Sequence, residues 1–205
     1  MRPWVTTAGA PTRAAATLAP MASEIKTLPD YLRPGLDIIF VGINPGMSSA
    51  EAGRYFFTPR NRFWPAFNAA RLTPEPLGPE TDAKALDHGI GFTDVVKRPT
   101  RQMSELRAAD YREGAALLRE KLLRFRPLVV SFNGLSGYKN YLRYTSGGFA
   151  AAKLGRQPAR LGRSLVYVMP STSPANAAVS LERIVEAMTE LKIVVAHETE
   201  AKGAS

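Results

Sequence analysis

Two polar side chains that could do chemistry follow apolar runs of this 205-residue sequence. Asn44 comes after the run 38–41, in the segment Gly42-Ile43-Asn44-Pro45-Gly46, where it alone offers both a side-chain donor and a side-chain acceptor. Asp94 interrupts the apolar run that begins near Gly89. An amide can orient a water molecule, and a carboxylate can direct that water or stabilise a cationic sugar. If the side chains of Asn44 and Asp94 lie close together, they predict a catalytic site that activates a water molecule.

Each of the two also has a plainer interpretation. Asn44 tolerates the backbone angles of a tight turn between a strand and a helix, and the pentapeptide alone leaves both interpretations open. A carboxylate inside an apolar strand is costly unless it is paired or lies at the open end of the strand. Lys97 and Arg98 follow Asp94 closely enough to pair with it, so an ion pair and a functional acid both remain open.

Strands that end at one edge of a sheet would bring Asn44 and Asp94 together. Four apolar runs predict buried strands, at 36–41, 89–96, 128–132 and 165–169. Helices are predicted at 81–88, 111–125, 135–144 and 179–195, and a Gly-rich, basic stretch covers 146–163. Strands that alternate with helices predict an α/β fold with a parallel sheet and right-handed crossovers. Ligands of such folds bind outside the carboxyl ends of the strands, where Asn44 is placed.

The segment 56–64 is aromatic and basic, and it follows the Asn44 loop closely. Asn61 is predicted to cap the helix that begins near Phe63. An enzyme that works on a base of duplex DNA must rotate that base out of the stack, into a pocket with a flat apolar surface and amide groups. Phe56 and Asn44 could supply these, although core packing is the commoner fate of a phenylalanine such as Phe56.

The segment after the last apolar run is rich in small hydroxyl residues between two prolines. Its residues are Ser171, Thr172, Ser173, Pro174, Ala175 and Asn176. Such a loop exposes backbone amides to a phosphate, and its tip can enter the space that an extruded base leaves. An ordinary turn before the last helix is the alternative. Arg156, Arg160 and Arg163 could bind phosphates or form a solvated basic surface.

Composition narrows the function classes. The 27 Lys and Arg residues against 18 Asp and Glu residues give a net charge of +9, which favours a polyanionic partner. The sequence contains no cysteine, which excludes disulfides, thiol nucleophiles and Cys-ligated zinc or iron–sulfur clusters. Its two histidines form no metal-binding pattern, and no apolar run reaches membrane-spanning length. We expect a cytoplasmic, nucleoid-associated protein.

Three segments are predicted along the chain. Residues 1–28 are rich in Ala, Thr and Pro without hydrophobic periodicity, and we expect a disordered tail. Residues 29–196 form the predicted domain, and residues 197–205 are expected to be a C-terminal tail.

Several short motifs occur together in one order. They are Gly42-Ile43-Asn44-Pro45-Gly46-Met47-Ser48-Ser49-Ala50, Asn61-Arg62-Phe63-Trp64, Lys97-Arg98-Pro99-Thr100, Met169-Pro170-Ser171 and Val179-Ser180-Leu181-Glu182. In these motifs the chain resembles the mismatch-specific uracil-DNA glycosylases, the group within the uracil-DNA glycosylase superfamily that includes thymine-DNA glycosylase. The resemblance runs from about Leu32 to Leu191.

The resemblance implies a three-layer α/β/α fold with a central four-stranded, mostly parallel sheet. It also implies hydrolysis of the N-glycosidic bond of uracil, typically opposite guanine in double-stranded DNA, which leaves an abasic site. No metal or cofactor is implied, and we expect a monomer. By the resemblance, Asn44 positions the water and Phe56 stacks on the flipped base. Asp94 is the candidate second catalytic group because of its place at the end of a predicted strand, and not through the resemblance. Gly42, Ile43, Pro45, Gly46 and Ser49 complete the expected base pocket, and Asn61, Lys97, Arg98 and residues 171–176 are the expected DNA contacts.

The sequence departs from the family pattern in the DNA-entering loop and at Asp94. The family usually has an arginine soon after the Pro170-Ser171 pair, whereas the loop here is longer and uncharged. Family members often have an uncharged residue near Asp94. No histidine lies beside Pro170-Ser171, from which we expect slower chemistry than in the most active branches of the superfamily. A non-catalytic lesion or abasic-site binding protein of the same fold is the alternative, and a generic α/β nucleotide-binding domain is a third option.

Overall fold

The computed structural model describes residues 26–148 and 152–203. The strands are β1 (Ile38–Gly42), β2 (Ile90–Asp94), β3 (Val129–Asn133), β4 (Gly155–Leu161) and β5 (Ser164–Met169). The α-helices are α1 (Met47–Ala52), α2 (Phe63–Ala69), α3 (Ala108–Phe125), α4 (Leu135–Thr145) and α5 (Leu181–Gly203). Two 3₁₀ helices cover Pro79–His88 and Met103–Glu105.

The strands form one sheet in the order β2-β1-β3-β5-β4, and all neighbours are parallel except the antiparallel pair β4 and β5. The predicted α/β fold is therefore confirmed, but the expected four strands are five. The additional strand, β4, lies in the basic stretch 146–163 and carries exposed arginines and Pro158. A register irregularity lies between Arg156 and Arg160, where a proline is tolerated in an edge strand. β4 therefore lacks the apolar run by which the other strands were predicted.

Helices cover both faces of the sheet, which explains why β1, β2, β3 and β5 are buried along their whole length. Ile38 and Phe40 of β1 point to the face covered by α2 and α5. Ile39 and Val41 point to the opposite face, which α3 and α4 cover. Phe40 packs edge-on against Phe63 of α2 with ring centroids 5.1 Å apart, so the aromatic segment after the Asn44 loop forms part of the core.

The ends of the domain differ from the expected tails. Residues 1–25 of the expected N-terminal tail lie outside the described residues. Of its last residues, Leu28 is 2% exposed and Thr27 donates a hydrogen bond to the Lys97 carbonyl, so both pack on the domain. Helix α5 starts at Leu181, two residues later than predicted. It continues to Gly203, through most of the expected tail at 197–205. Within the described ranges, no helix combines the length and the apolar character needed to cross a bilayer.

Candidate active site

The loop after β1 and the segment after β2 run side by side at the carboxyl edge of the sheet. The amides of Val95 and Val96 donate to the carbonyls of Gly42 and Ile43, each at 2.9 Å. Farther along, the Thr100 amide donates to the Pro45 carbonyl at 3.1 Å. The two segments that carry Asn44 and Asp94 are therefore neighbours, as parallel strands predicted.

The side chain of Asn44 is held in one orientation. Its Nδ2 donates to Thr100 Oγ1 at 2.8 Å, to the Arg98 carbonyl at 3.0 Å and, more weakly, to the Pro45 carbonyl at 3.2 Å. A backbone carbonyl can only accept, so these contacts fix which end of the amide is the nitrogen. In the described part of the chain no protein donor bonds to Asn44 Oδ1. The half-buried amide thus keeps one acceptor available for a water molecule or for substrate.

Asp94 lies beneath that loop and is 6% exposed. It follows Phe92 by two residues in β2, so both side chains point to the face of the sheet that carries the aromatic cluster. Its Oδ1 abuts Gly42, and among the described residues its buried Oδ2 has no hydrogen-bond partner. Burial raises the pKa of Asp94 to about 6, although the nearby Lys97 charge lowers it.

The ion-pair interpretation of Asp94 explains only part of this arrangement. Lys97 Nζ is 3.8 Å from Asp94 Oδ2, beyond hydrogen-bonding distance, but 2.8 Å from Asp30 Oδ1. Arg98 pairs with Asp110 instead, with Nη2 2.7 Å from Asp110 Oδ2. The two cations that follow Asp94 are therefore bound mainly to other carboxylates, and Asp94 remains poorly neutralised.

Phe56 presents one ring face to the core and is half-buried. Its ring stacks on Phe63 with centroids 3.8 Å apart and an angle of 9° between the planes. Phe92 and Trp64 meet it edge-on, at 6.0 and 6.5 Å. These contacts occupy one face and the edges, and among the described residues no aromatic ring stacks on the opposite face. Core packing is therefore shown for one face of the ring, and stacking on the opposite face stays a prediction.

The backbone of Phe56 has a φ of 54°, a left-handed conformation that is unusual for an aromatic residue. The residue before it holds this conformation from two sides. The Tyr55 amide donates to buried Asp82 at 2.7 Å, and the Tyr55 carbonyl accepts from Trp64 Nε1 at 3.0 Å. Strained backbones that their surroundings enforce are concentrated at functional sites, which favours a role for Phe56 beyond packing.

Two side chains fix the loop at 170–179. Asn133, at the end of β3, accepts from the Thr172 amide at 3.1 Å and donates to Thr172 Oγ1 at 3.0 Å. Arg62 donates to the carbonyls of Ser173 and Asn176 at 2.8 and 2.9 Å, and also to that of Val179. The loop is therefore attached to the sheet at one end and to the start of α2 along its length.

Comparison with known proteins decides the family. The sequence profile of the Uracil DNA glycosylase superfamily matches residues 29–192, which is most of the chain. The chain belongs to the uracil DNA glycosylase superfamily. Among solved structures, the fold is similar to the solution NMR structure of a candidate uracil DNA glycosylase from Methanosarcina acetivorans. That comparison has a TM-score of 0.54 and 23% identity over 85% of this chain and 98% of the other. Membership of the superfamily supports DNA glycosylase activity and DNA as the substrate.

Within this superfamily fold, several residues expected to contact DNA have other partners. Thr172 is fully buried, so its side chain is a structural attachment of the loop and not a DNA contact. Lys97 and Arg98 are engaged in the ion pairs described above. Asn61 Oδ1 accepts from the Phe63 amide at 3.0 Å, but Arg62 occupies the N-cap position of α2, so the predicted cap at Asn61 was placed one residue too early. Of the loop, Ala175 is exposed, while Ser171, Ser173, Pro174 and Asn176 are half-buried.

The other expected pocket residues surround Asn44 by their backbone. Gly42 and Pro45 are buried, and Gly46 precedes α1, whose Ser49 is also buried. The Ile43 side chain packs against α4, where a Cβ at Gly137 would lie 2.9 Å from it, so only its backbone faces Asn44. A cavity of about 380 Å³ lies between α3 and the segment 94–98, and its lining includes Asp94, Lys97 and Lys121 but neither Asn44 nor Phe56. Within the described ranges, no three His, Cys, Asp or Glu side chains form a group that could hold a metal ion.

Sequence reasoning missed four residues of the site. Asp30 was assigned only to the segment before the first strand, and Thr100 was quoted only as part of a motif. Asn133 and Arg62 were not given the role of holding the loop. Asn133 had a detectable signal, since it ends a predicted strand just as Asn44 follows one. The Arg62 contacts span more than a hundred residues of sequence, and no local pattern predicts them.

Proposed function

We propose that this protein is a monofunctional, mismatch-specific uracil-DNA glycosylase that excises uracil from G·U pairs and leaves an abasic site. The observation that carries the proposal is the fixed amide of Asn44, whose Oδ1 receives no hydrogen bond from the described residues and lies at the carboxyl edge of the sheet. Such an acceptor can orient a water molecule without itself being a strong base. Superfamily membership provides the reaction class, and the uracil specificity is our inference.

In this mechanism, Asn44 Oδ1 accepts a hydrogen bond from the attacking water. The bond between C1′ of the sugar and N1 of uracil breaks, and its electron pair leaves with the uracil anion. The water oxygen bonds to C1′, and its proton passes to the Asp94 carboxylate. Because the pKa of Asp94 is about 6, the group is mostly ionised above neutral pH and is a stronger base than an ordinary aspartate. The same charge stabilises the cationic sugar in the transition state.

Phe56 and the loop at 170–176 support base flipping. The face of Phe56 opposite Phe63 would provide a stacking surface, and base stacking on an aromatic side chain contributes about 1–3 kcal/mol. The exposed tip of the loop at Ala175 would enter the duplex and occupy the space that the flipped base leaves. The tip is small and uncharged, so we expect it to bind the unpaired guanine weakly.

A lyase step does not follow from this arrangement. Such a step needs a free amine at C1′, and Lys97, which approaches Asp94, is bound to Asp30 at 2.8 Å. We therefore expect an intact abasic site as the product, and strand cleavage only after alkali treatment.

Single-turnover excision of uracil from a G·U duplex tests the proposal. The wild-type protein should give strand cleavage after alkali, and Asn44→Ala and Asp94→Asn should each lower the rate about 100-fold or more. Asn140→Ala, which removes a local amide contact on α4, is the matched control and should leave the rate unchanged. Binding without cleavage by the wild-type protein would support the lesion-binding alternative. Near-wild-type excision rates for both site variants would overturn the mechanism. If only Asp94→Asn retains the wild-type rate, Asp94 has a structural role and no catalytic one.

A further inference from the structure

Asp30, in the segment before β1, connects the residues around the candidate acid. Its Oδ1 accepts from Lys97 Nζ at 2.8 Å and from Thr93 Oγ1 at 2.7 Å, and its Oδ2 accepts from Lys121 Nζ at 2.6 Å. Burial by itself would raise the pKa of Asp30, but the charges and hydrogen bonds of Lys97 and Lys121 bring it below its ordinary value. Asp30 is therefore a fixed anion that binds two cations.

Lys97 lies between two carboxylates and is bonded to only one of them. Its Nζ is in hydrogen-bonding distance of Asp30 but 3.8 Å from Asp94 Oδ2, the buried oxygen without a partner. A hydrogen bond to a charged partner is a strong contact, whereas a contact at 3.8 Å is electrostatic attraction alone. The position of Lys97 thus decides how far Asp94 is neutralised.

We propose that Asp30 is a positioning residue that holds Lys97 away from Asp94 and so keeps the candidate acid unpaired and able to accept a proton. This inference rests on the proposed function, because it assigns Asp94 the part of the base. Thr93 fixes Asp30 from β2, and Lys121 fixes it from α3. The network thereby connects the amino-terminal segment and α3 to the reaction at the edge of the sheet.

The charges and titratable groups around Asp94 come from each element that packs against it. Lys97 attracts its carboxylate, as does the more distant Lys121, while the charge of Asp30 opposes it. From the segment after α1, the buried phenol of Tyr55 is neutral, because burial and the charge of Asp94 both raise its pKa. The Tyr55 hydroxyl donates to the Pro29 carbonyl at 2.9 Å, and so it does not neutralise Asp94.

The test is the titration of the Asp94 carboxyl, followed by ¹³C NMR on protein labelled at aspartate and assigned with Asp94→Asn. This readout does not require turnover. In Asp30→Asn, Lys97 is free to bond Asp94, and the titration midpoint should fall by about one pH unit or more. In Lys97→Met the midpoint should rise by a similar amount. Glu198→Gln, which removes a surface ion pair with Arg160, is the control and should leave it unchanged.

The double variant Asp30→Asn/Lys97→Met separates the position of Lys97 from the charge of Asp30. If Asp30 acts by holding Lys97, its loss should lower the midpoint much less once Lys97 is absent, because only the direct repulsion by the Asp30 charge is then removed. An equal fall in the presence and absence of Lys97 would overturn the proposal. A Lys97→Met protein whose titration midpoint does not rise would also overturn the proposal. This single variant keeps Asp30 and its contact with Lys121, so the test remains available if Asp30→Asn does not fold. In the excision assay, the acidic limb of the pH–rate profile should move with the titration midpoint of Asp94. If the midpoints change as expected but the protein does not excise uracil, the role of Asp30 is supported and only the proposed function is rejected.

Discussion

Asp94 Oδ1 occupies the space that a side chain at Gly42 would need, since a Cβ at residue 42 would lie 2.3 Å from that oxygen. The two residues are direct partners in the parallel pair of β1 and β2. The backbone of Gly42 is not left-handed, so the glycine is needed for this close approach and not for its conformational freedom. The first glycine of the loop therefore makes room for the acid two residues before Asn44.

Gly42→Ala should displace Asp94 and lose excision activity to about the same extent as Asp94→Asn. The crowding should also lower the free energy of unfolding by about 1–3 kcal/mol. Adding Asp94→Ala should restore stability but not activity, because the clash disappears together with the carboxylate. Gly78→Ala is the matched control, since a Cβ there would meet nothing within 4 Å. Full activity in Gly42→Ala would show that Asp94 does not act from this position.

Asp94→Asn should stabilise the protein above pH 6. The pKa of Asp94 is raised from 3.8 to about 6, so the folded state disfavours the ionised form, and stability is lost as the pH rises through this interval. The full cost above pH 6 is about 3 kcal/mol. Urea unfolding at pH 8 should show a higher free energy of unfolding for Asp94→Asn than for the wild-type protein, and this difference should vanish near pH 3, below both pKa values. A gain of the same size at both pH values would contradict the assigned cause.

Asp110→Asn should have the opposite pH dependence. The hydrogen bond from Arg98 lowers the pKa of Asp110 from 3.8 to about 2, so this carboxylate stabilises the fold above pH 4, and its contribution is lost as the pH falls toward 2. The pair is exposed enough for the effect to be small. At low ionic strength, the melting temperature of Asp110→Asn should be lower than that of the wild-type protein at pH 8 and equal to it near pH 2. A stabilised variant at pH 8 would contradict the prediction.

Phe56→Ala should lower single-turnover excision by roughly 10- to 100-fold, the range that corresponds to the loss of one base stack. Phe57→Ala is the matched control. Phe57 is adjacent and also half-buried, and within the described ranges it contacts no other aromatic ring. Phe56→Tyr should retain most of the activity. An equal loss in the alanine variants at 56 and 57 would point to general disruption of the segment instead of stacking.

Arg62→Lys should loosen the loop at 170–179. An ammonium group cannot reproduce the separate contacts that the guanidinium makes with three carbonyls. The chain has no cysteine, so a spin label at Ala175→Cys reports this loop alone. The label should become more mobile in Arg62→Lys, and excision from the duplex should fall about tenfold, as a well-ordered loop no longer enters the DNA. Arg60→Lys is the control, and an unchanged spectrum in Arg62→Lys would contradict the role of Arg62.

Much of this fold follows from the sequence, since four strands are buried on both faces and therefore appear as continuous apolar runs. β4 was missed because an exposed edge strand needs no such run and tolerates Pro158 at its irregularity. The extent of α5 was underestimated because its last turns are exposed and polar, without the apolar pattern by which the helix was predicted. The burial of Leu28 was not predicted, because a single apolar residue leaves no periodic signal.

The candidate site was predictable where it depends on strand ends. Asn44 and Asp94 each follow an apolar run, and parallel strands bring such positions together. The partners that give these groups their properties were not predictable, since Asp30, Arg62 and Thr100 act through contacts between distant segments. The sequence also could not decide that Lys97 bonds to Asp30 and not to Asp94, because both carboxylates lie within reach of one flexible side chain.

Arg62 and Asn133 hold the loop at 170–179 in shape before any partner arrives. When a rigid protrusion meets a double helix, the helix has to deform. Base pairs that open easily, such as mismatched or damaged ones, cost less to distort than intact ones. Discrimination would then begin with how readily the duplex yields, before the extruded base is tested by Asn44 or Phe56.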